Sequence, residues 1–269
     1  MRYQEHRPAA ALAPWIRCIW TLHGEPDVSD GSAPVLPDGC VEIVLNFGDV
    51  FLRHLDGGGV ERQPRALIAG QLTQSIAIEP QGRIDLLGIR FHPWGAAPFL
   101  RVSAMMLRDR MFELSDADDV GKSLRRAWDS DDCDGRVALA IGALLEHVPR
   151  ARTPHAPVPR AAELVATGSD SIRAVAARLG LTVRTLQQAF QHEIGMSPKS
   201  LMRISRLQRA AGIARARAEL ALSRIALDAG YYDHAHLAHD CRDIAGVTPS
   251  VLFGARAELT DVFLAHGAA

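Results

Sequence analysis

No stretch of this sequence is an uninterrupted apolar run of about 18 residues or more, so no segment reads as a membrane span. Hydrophobic residues still make up 48% of the chain, ample for packed cores. The first twenty residues, MRYQEHRPAAALAPWIRCIW, carry a glutamate and lack the long apolar core of a signal peptide. Cysteine is scarce. Cys18, Cys40, Cys133 and Cys241 are scattered with no C-x-x-C pair, which fits free thiols in a reducing cytoplasm. A Gly-rich phosphate loop, a nucleophile–base signature and zinc-ligand spacing are also missing, which argues against an enzyme. His23, His54 and His92 show no paired spacing, and no metal or other cofactor is expected.

Net charge is nearly absent too, at −1, but the balance hides an asymmetry. From Arg160 to Arg217 the chain carries ten basic residues against three acidic ones; residues 1–159 and 218–269 are each negative by four. A basic block inside an acidic chain suggests a local polyanion site, although a solvated helix face has the same composition.

What is present falls into two halves, as 269 residues suggest. Residues 1 to about 112 are rich in Gly and Pro, with short alternating apolar runs. CVEIVLNF follows the turn Pro37-Asp38-Gly39, and SIAIEPQGRIDLLGIRF, around Pro80-Gln81-Gly82, reads as a hairpin. These spacings favour a small β-barrel or sandwich. From Ser115 the pattern turns helical, with Ser115 as a cap, and GRVALAIGALLEHV follows as a more apolar helix. Residues 149–157 form a Pro-rich linker. The expected fold is α+β: a regulatory or sensor domain over 1–148, a second, all-α domain over 158–258 and a tail over 259–269.

The second half contains an internal repeat. VAARLGLTVRTLQQAFQHEIGMSP and IALDAGYYDHAHLAHDCRDIAGVTP share an apolar–alanine start, a glycine (Gly180, Gly230), a core leucine (Leu186, Leu237) and a closing G-x-[ST]-P. The glycines suit the left-handed turn between two helices, and Thr182 and Asp233 suit the cap of the helix that follows. Two helix-turn-helix units are therefore expected, joined by one long helix over Pro198 to Arg217, roughly 30 Å in length. The repeat also decides a histidine-rich cluster in the second copy. On one helix His236 lies near His239 and Asp240, while His234 and Cys241 are seven residues apart. Four of these residues cannot close a tetrahedral zinc shell, which leaves at most a two-ligand site on His236 and Asp240. Cys241 takes the core place of Phe190, His236 matches Thr185, and Ala238, His239 and Arg242 match the outward Gln187, Gln188 and Gln191.

These paired motifs resemble the DNA-binding domain of the AraC/XylS family of transcriptional regulators. The resemblance implies a cytoplasmic, sequence-specific binder of double-stranded DNA with its two recognition helices in successive major grooves. It also implies RNA polymerase as a partner, with a small-molecule effector and a homodimer as further options. Arg184, Gln187, Gln188, Gln191, Ala238, His239 and Arg242 are the candidate base readers, and Thr182, Lys199 and Arg203 the candidate phosphate contacts. VLPDGCVEIVLNFGD and GIRFHPWGAAPFL resemble the sensor or dimerisation domains that precede this module, without naming a ligand. There Asp38, Glu42 and Arg90 either line a pocket or are ordinary surface, turn and strand partners. The alternatives are a small-molecule sensor that controls the DNA-binding domain and an enzyme with a DNA-binding appendage.

Overall fold

The structure, a computed structural model, describes residues 1–26, 31–55, 57–115, 118–168 and 171–254. Ten strands lie among them: β1 (Arg2–His6), β2 (Ile16–Gly24), β3 (Ala33–Val35), β4 (Glu42–Asn46), β5 (Phe51–His54), β6 (Val60–Arg62), β7 (Ala66–Ala69), β8 (Ile76–Pro80), β9 (Ile84–Phe91) and β10 (Met111–Glu113). They form two antiparallel sheets, ordered β1-β2-β9-β4-β7-β10 and β3-β8-β5-β6, with no closed barrel among the described residues. The expected sandwich-like, α+β arrangement is the one observed.

All eight residues of β9 are buried. Its odd-numbered side chains, Leu87, Ile89 and Phe91, enter a core shared with the trailing helices, while Ile84 and Leu86 face the second sheet. That two-sided burial explains why the expected β8–β9 hairpin does not form. Both edges of β9 are taken by β2 and β4, so β8 pairs with β3 and β5 instead. Gln81 to Arg83 turns the corner between sheets, with the Arg83 amide donating to the Asp49 carboxylate at 2.7 Å.

The helices are α1 (Ala96–Leu100), α2 (Ala104–Leu107), α3 (Asp119–Leu124), α4 (Cys133–Leu145), α5 (Pro157–Thr167), α6 (Ile172–Arg178), α7 (Val183–Glu193), α8 (Pro198–Ala216), α9 (Leu222–Asp228), α10 (His234–Asp240) and α11 (Pro249–Gly254). Ser115 is not a helix cap: Asp118 holds that position before α3 and accepts from the Ser115 amide at 3.2 Å. In the Pro-rich stretch a 3₁₀ turn over Val148–Arg150 leads into α5. Pro157 and Pro159 sit in its first turn, where their missing N–H groups leave no helical bond unmade. The tail over 259–269 lies outside the described residues.

One core cluster spans α5 to α11 and also takes in Leu36 and Trp94 from the first half of the chain. The turn before β4 docks directly on α8: Gln208 donates to the carbonyls of Pro37 at 2.7 Å and Leu36 at 3.4 Å. Gly39, at φ +81°, leaves no room for a side chain there, since a Cβ would stand 2.6 Å from Leu201.

A second close approach gives a stability test. The Trp20 indole lies over Gly88, where an added Cβ would be 1.9 Å from the ring. Gly88→Val is expected to lower stability by about 3 kcal/mol, the upper end of overpacking costs, read as a fall in the urea midpoint.

Candidate nucleic-acid interface

The first unit consists of α6, a turn through Gly180 at φ +68°, and α7. The Thr182 hydroxyl accepts from the Thr185 amide at 3.0 Å, capping the helix. Leu186 and Phe190 point into the core, fully buried. The four-residue step between them leaves Arg184, Gln187 and Gln188 exposed on the opposite face, with Gln191 half-buried beside them. A solvent-facing row of one guanidinium and three carboxamides can make paired hydrogen bonds to guanine and adenine edges.

The second unit repeats the scheme with α9, Gly230 at φ +88°, and α10, which runs on through a π turn, Cys241–Ala245, to Gly246 at φ +72°. The Asp233 carboxylate caps α10, accepting from the His236 amide at 2.8 Å. Cys241 is buried in the core, and burial pushes its thiol up to about 12. His239 and Arg242 are exposed and Ala238 half-buried. The histidine cluster does not converge. His236 packs edge-on against the Tyr231 ring, while the Asp240 carboxylate turns the other way, toward α8.

That carboxylate organises the basic spacer. Asp240 is fully buried. Arg203 Nε donates to it at 2.8 Å, the other arm of Arg203 reaches Asp243 at 2.8 Å, and Arg206 lies 3.6 Å from the second Asp240 oxygen. Arg206 also stacks over the Tyr231 ring, 4.8 Å from its centre. Arg209 donates to the carbonyls of Ala166 and Thr167 at the end of α5 and of Ala229 at the end of α9. Three of the basic side chains behind the charge asymmetry are therefore internal ties. Arg203, expected at phosphate, is held by two aspartates in this conformation; Lys199 and Thr182 stand exposed. Sequence reasoning missed these ties because the aspartates lie 37 and 40 residues from Arg203.

The first half of the chain touches the C-terminal end of each recognition helix. Gln71 donates to Ile194 O at 2.6 Å and Arg108 to Gly195 O at 3.3 Å. Ser75 donates to Ile244 O (2.7 Å, from its amide) and Ala245 O (3.1 Å, from its hydroxyl), and Gln74 to Asp243 O (3.2 Å). Residues 71–75 thus strap the two units together through carbonyls that a helix end leaves unpaired.

Asp38, Glu42 and Arg90 do come together. Arg90 Nε lies 2.5 Å from Glu42 and 3.4 Å from Asp38. The three sit at the polar end of a cavity of about 100 Å³ between the sheets, otherwise lined by groups such as Trp20, Val44, Phe51, Ile78 and Leu86. Burial pushes the Glu42 carboxyl above its usual range against the pull of Arg90. Among the described residues no three His, Cys, Asp or Glu side chains are grouped to hold a metal ion, and no helix is long and apolar enough to cross a membrane.

Residues 175–255 match the family model described as a helix-turn-helix domain, and residues 4–113 one described as a domain of unknown function, DUF6597. Among solved structures, the apo form of a ToxT variant from Vibrio cholerae shares the fold at a TM-score of 0.50 and 10% identity, covering 93% of this chain and 99% of that one. ToxT in its P21 form scores 0.49 at 9% identity over 87% and 98% of the two chains. Wild-type ToxT bound to an unsaturated fatty acid scores 0.46 at 9% identity, over 87% and 94%. No curated protein matches. Residues 175–255 are an AraC-type helix-turn-helix domain. The protein is a DNA-binding transcriptional regulator.

The buried carboxylate sets a test. Asp240→Ala leaves Arg206 without its carboxylate and Arg203 with Asp243 alone, and is expected to destabilise the helical domain by about 3 kcal/mol, measured by urea unfolding. Asp243 behaves differently. The hydrogen bond from Arg203 holds its carboxyl below the ordinary value. Its contribution is therefore present at neutral pH and is lost only as the pH falls through that lowered value in acid. Asp243→Asn is expected to remove that part of the acid dependence while leaving the fold intact.

Proposed function

We propose that the protein reads double-stranded DNA with both units at once, α7 and α10 entering successive major grooves on one face. Arg184, Gln187, Gln188 and Gln191 contact bases from the first unit, and Ala238, His239 and Arg242 from the second. Thr182 and Lys199 meet phosphate; Arg203 joins them only where DNA competes with Asp240 and Asp243. What carries this reading is the pair of capped helices with solvent-facing polar rows, joined by α8, 19 residues long. On this reading 1–148 is the regulatory domain, 149–157 the linker and 158–258 the DNA-binding domain. The protein acts in the cytoplasm, without catalysis, through RNA polymerase, and a homodimer would double its contacts.

A second observation favours effector control. The cavity and the α8-docking turn share Leu36, Pro37 and Asp38, so a molecule that separates Asp38 from Arg90 also pulls on the turn that holds α8. Native mass spectrometry of the purified chain tests this, a retained mass being the expected result.

For DNA reading, mobility shifts on the protein's own promoter region at fixed salt are expected to show sequence-specific binding. Arg184→Ala should lose roughly 1–3 kcal/mol of discrimination at one base pair. A uniform loss over all sequences would make Arg184 a phosphate contact instead.

A further inference from the structure

Far from the helix-turn-helix units, β2, β9 and α4 bring together three residues that no motif connects. The Cys133 sulfur lies 3.3 Å from His23 Nε2, and His23 Nδ1 lies 3.0 Å from the Asp85 carboxylate. Asp85 is buried, and it is held by Arg136 at 3.0 Å and Arg83 at 2.9 Å. An acceptor fixed at Nδ1 keeps the proton on that nitrogen and turns the Nε2 lone pair toward the thiol. His23 and Asp85 are a directly opposed cross-strand pair, so the sheet itself sets their distance. Cys133 is the first residue of α4, a 13-residue helix capped by Asp132, whose carboxylate accepts from the Gly135 amide at 2.7 Å.

The other cysteines provide the contrast. Cys18, Cys40 and Cys241 are buried, and burial raises all three thiols, Cys18 and Cys241 to about 12. Cys133 is only half-buried and opens onto a surface recess of about 210 Å³. Arg2 and Gln4 line the same recess and offer hydrogen-bond donors to a carbonyl oxygen.

We propose that Cys133 is a base-assisted nucleophile, the site at which this protein is covalently modified by small α,β-unsaturated carbonyl compounds, with His23 as the base and Asp85 as its positioning residue. The thiol proton passes to His23 Nε2 and the sulfur forms a bond to the β-carbon of the electrophile. The C=C π pair moves toward the carbonyl as an enolate, which takes the proton back from His23 at the α-carbon. No oxidant is consumed and nothing leaves. Addition suits the site better than oxidation, because a sulfenic acid on Cys133 would find the other three thiols buried and unable to resolve it.

The test uses the full chain, native and at fixed pH, with methyl vinyl ketone as the probe and peptide mapping by mass spectrometry as the readout. One adduct per chain is expected, on Cys133. His23→Gln should slow it at least about tenfold, a modest share of what a positioned base supplies, with the circular dichroism unchanged. Should that variant not fold, the wild type decides the matter: Cys133 should react faster in the folded chain than in urea. A first adduct on another cysteine, or no rate excess over the urea-unfolded chain, overturns the proposal. So does a chain that gives a peroxide-derived sulfenic acid on Cys133 but no ketone adduct.

Discussion

The helical domain is arranged around one buried carboxylate. Asp240, on the second recognition helix, has no solvent exposure and turns toward two guanidiniums of the long central helix. A carboxylate so placed is costly without partners and directional with them, so the second recognition helix has one favoured seat on α8. Arg209 extends the same logic by capping the ends of α5 and α9 at once, joining the preceding helix and the second unit to the spacer through carbonyls that helix geometry leaves open. The basic block that draws the eye in the sequence is thus partly engaged in seating the second unit and α5 on α8.

The N-terminal half adds a second constraint on the same geometry. Its 71–75 strap engages the ends of both recognition helices, and its 36–39 turn rests on the helix between them. These hydrogen bonds stand beside the apolar contacts of Leu36 and Trp94 with the helical core. The turn is also a wall of the inter-sheet cavity, which places the polar trio of Asp38, Glu42 and Arg90 one step from α8. That shared wall is the contact on which the proposed effector control rests.

Much of the helical half was legible because its signals are local. A glycine at the turn, a capping Thr or Asp and apolar residues four apart all lie within one unit, and a second copy repeats them. The long helix was legible for the same reason, from Pro198 onward. What was not legible comes from partners distant in sequence. The pairing of Arg203 with Asp240 and Asp243, 37 and 40 residues away, is one case. The 75–91 segment looks like a hairpin because Pro80-Gln81-Gly82 is a good turn, and only the occupied edges of β9 forbid the pairing. Cys133 and His23 are 110 residues apart, so no spacing rule could have joined them.

Hydroxyl-radical footprinting of the wild-type protein on its bound promoter site bears most directly on the account. Two recognition helices seated on one rigid spacer should leave two protected windows about one helical turn apart, roughly 10 base pairs, on the same face of the duplex for each protomer. Protection of a single groove per protomer, or of two windows on opposite faces, would contradict the claim that Asp240 and α8 set the spacing at which this protein reads DNA.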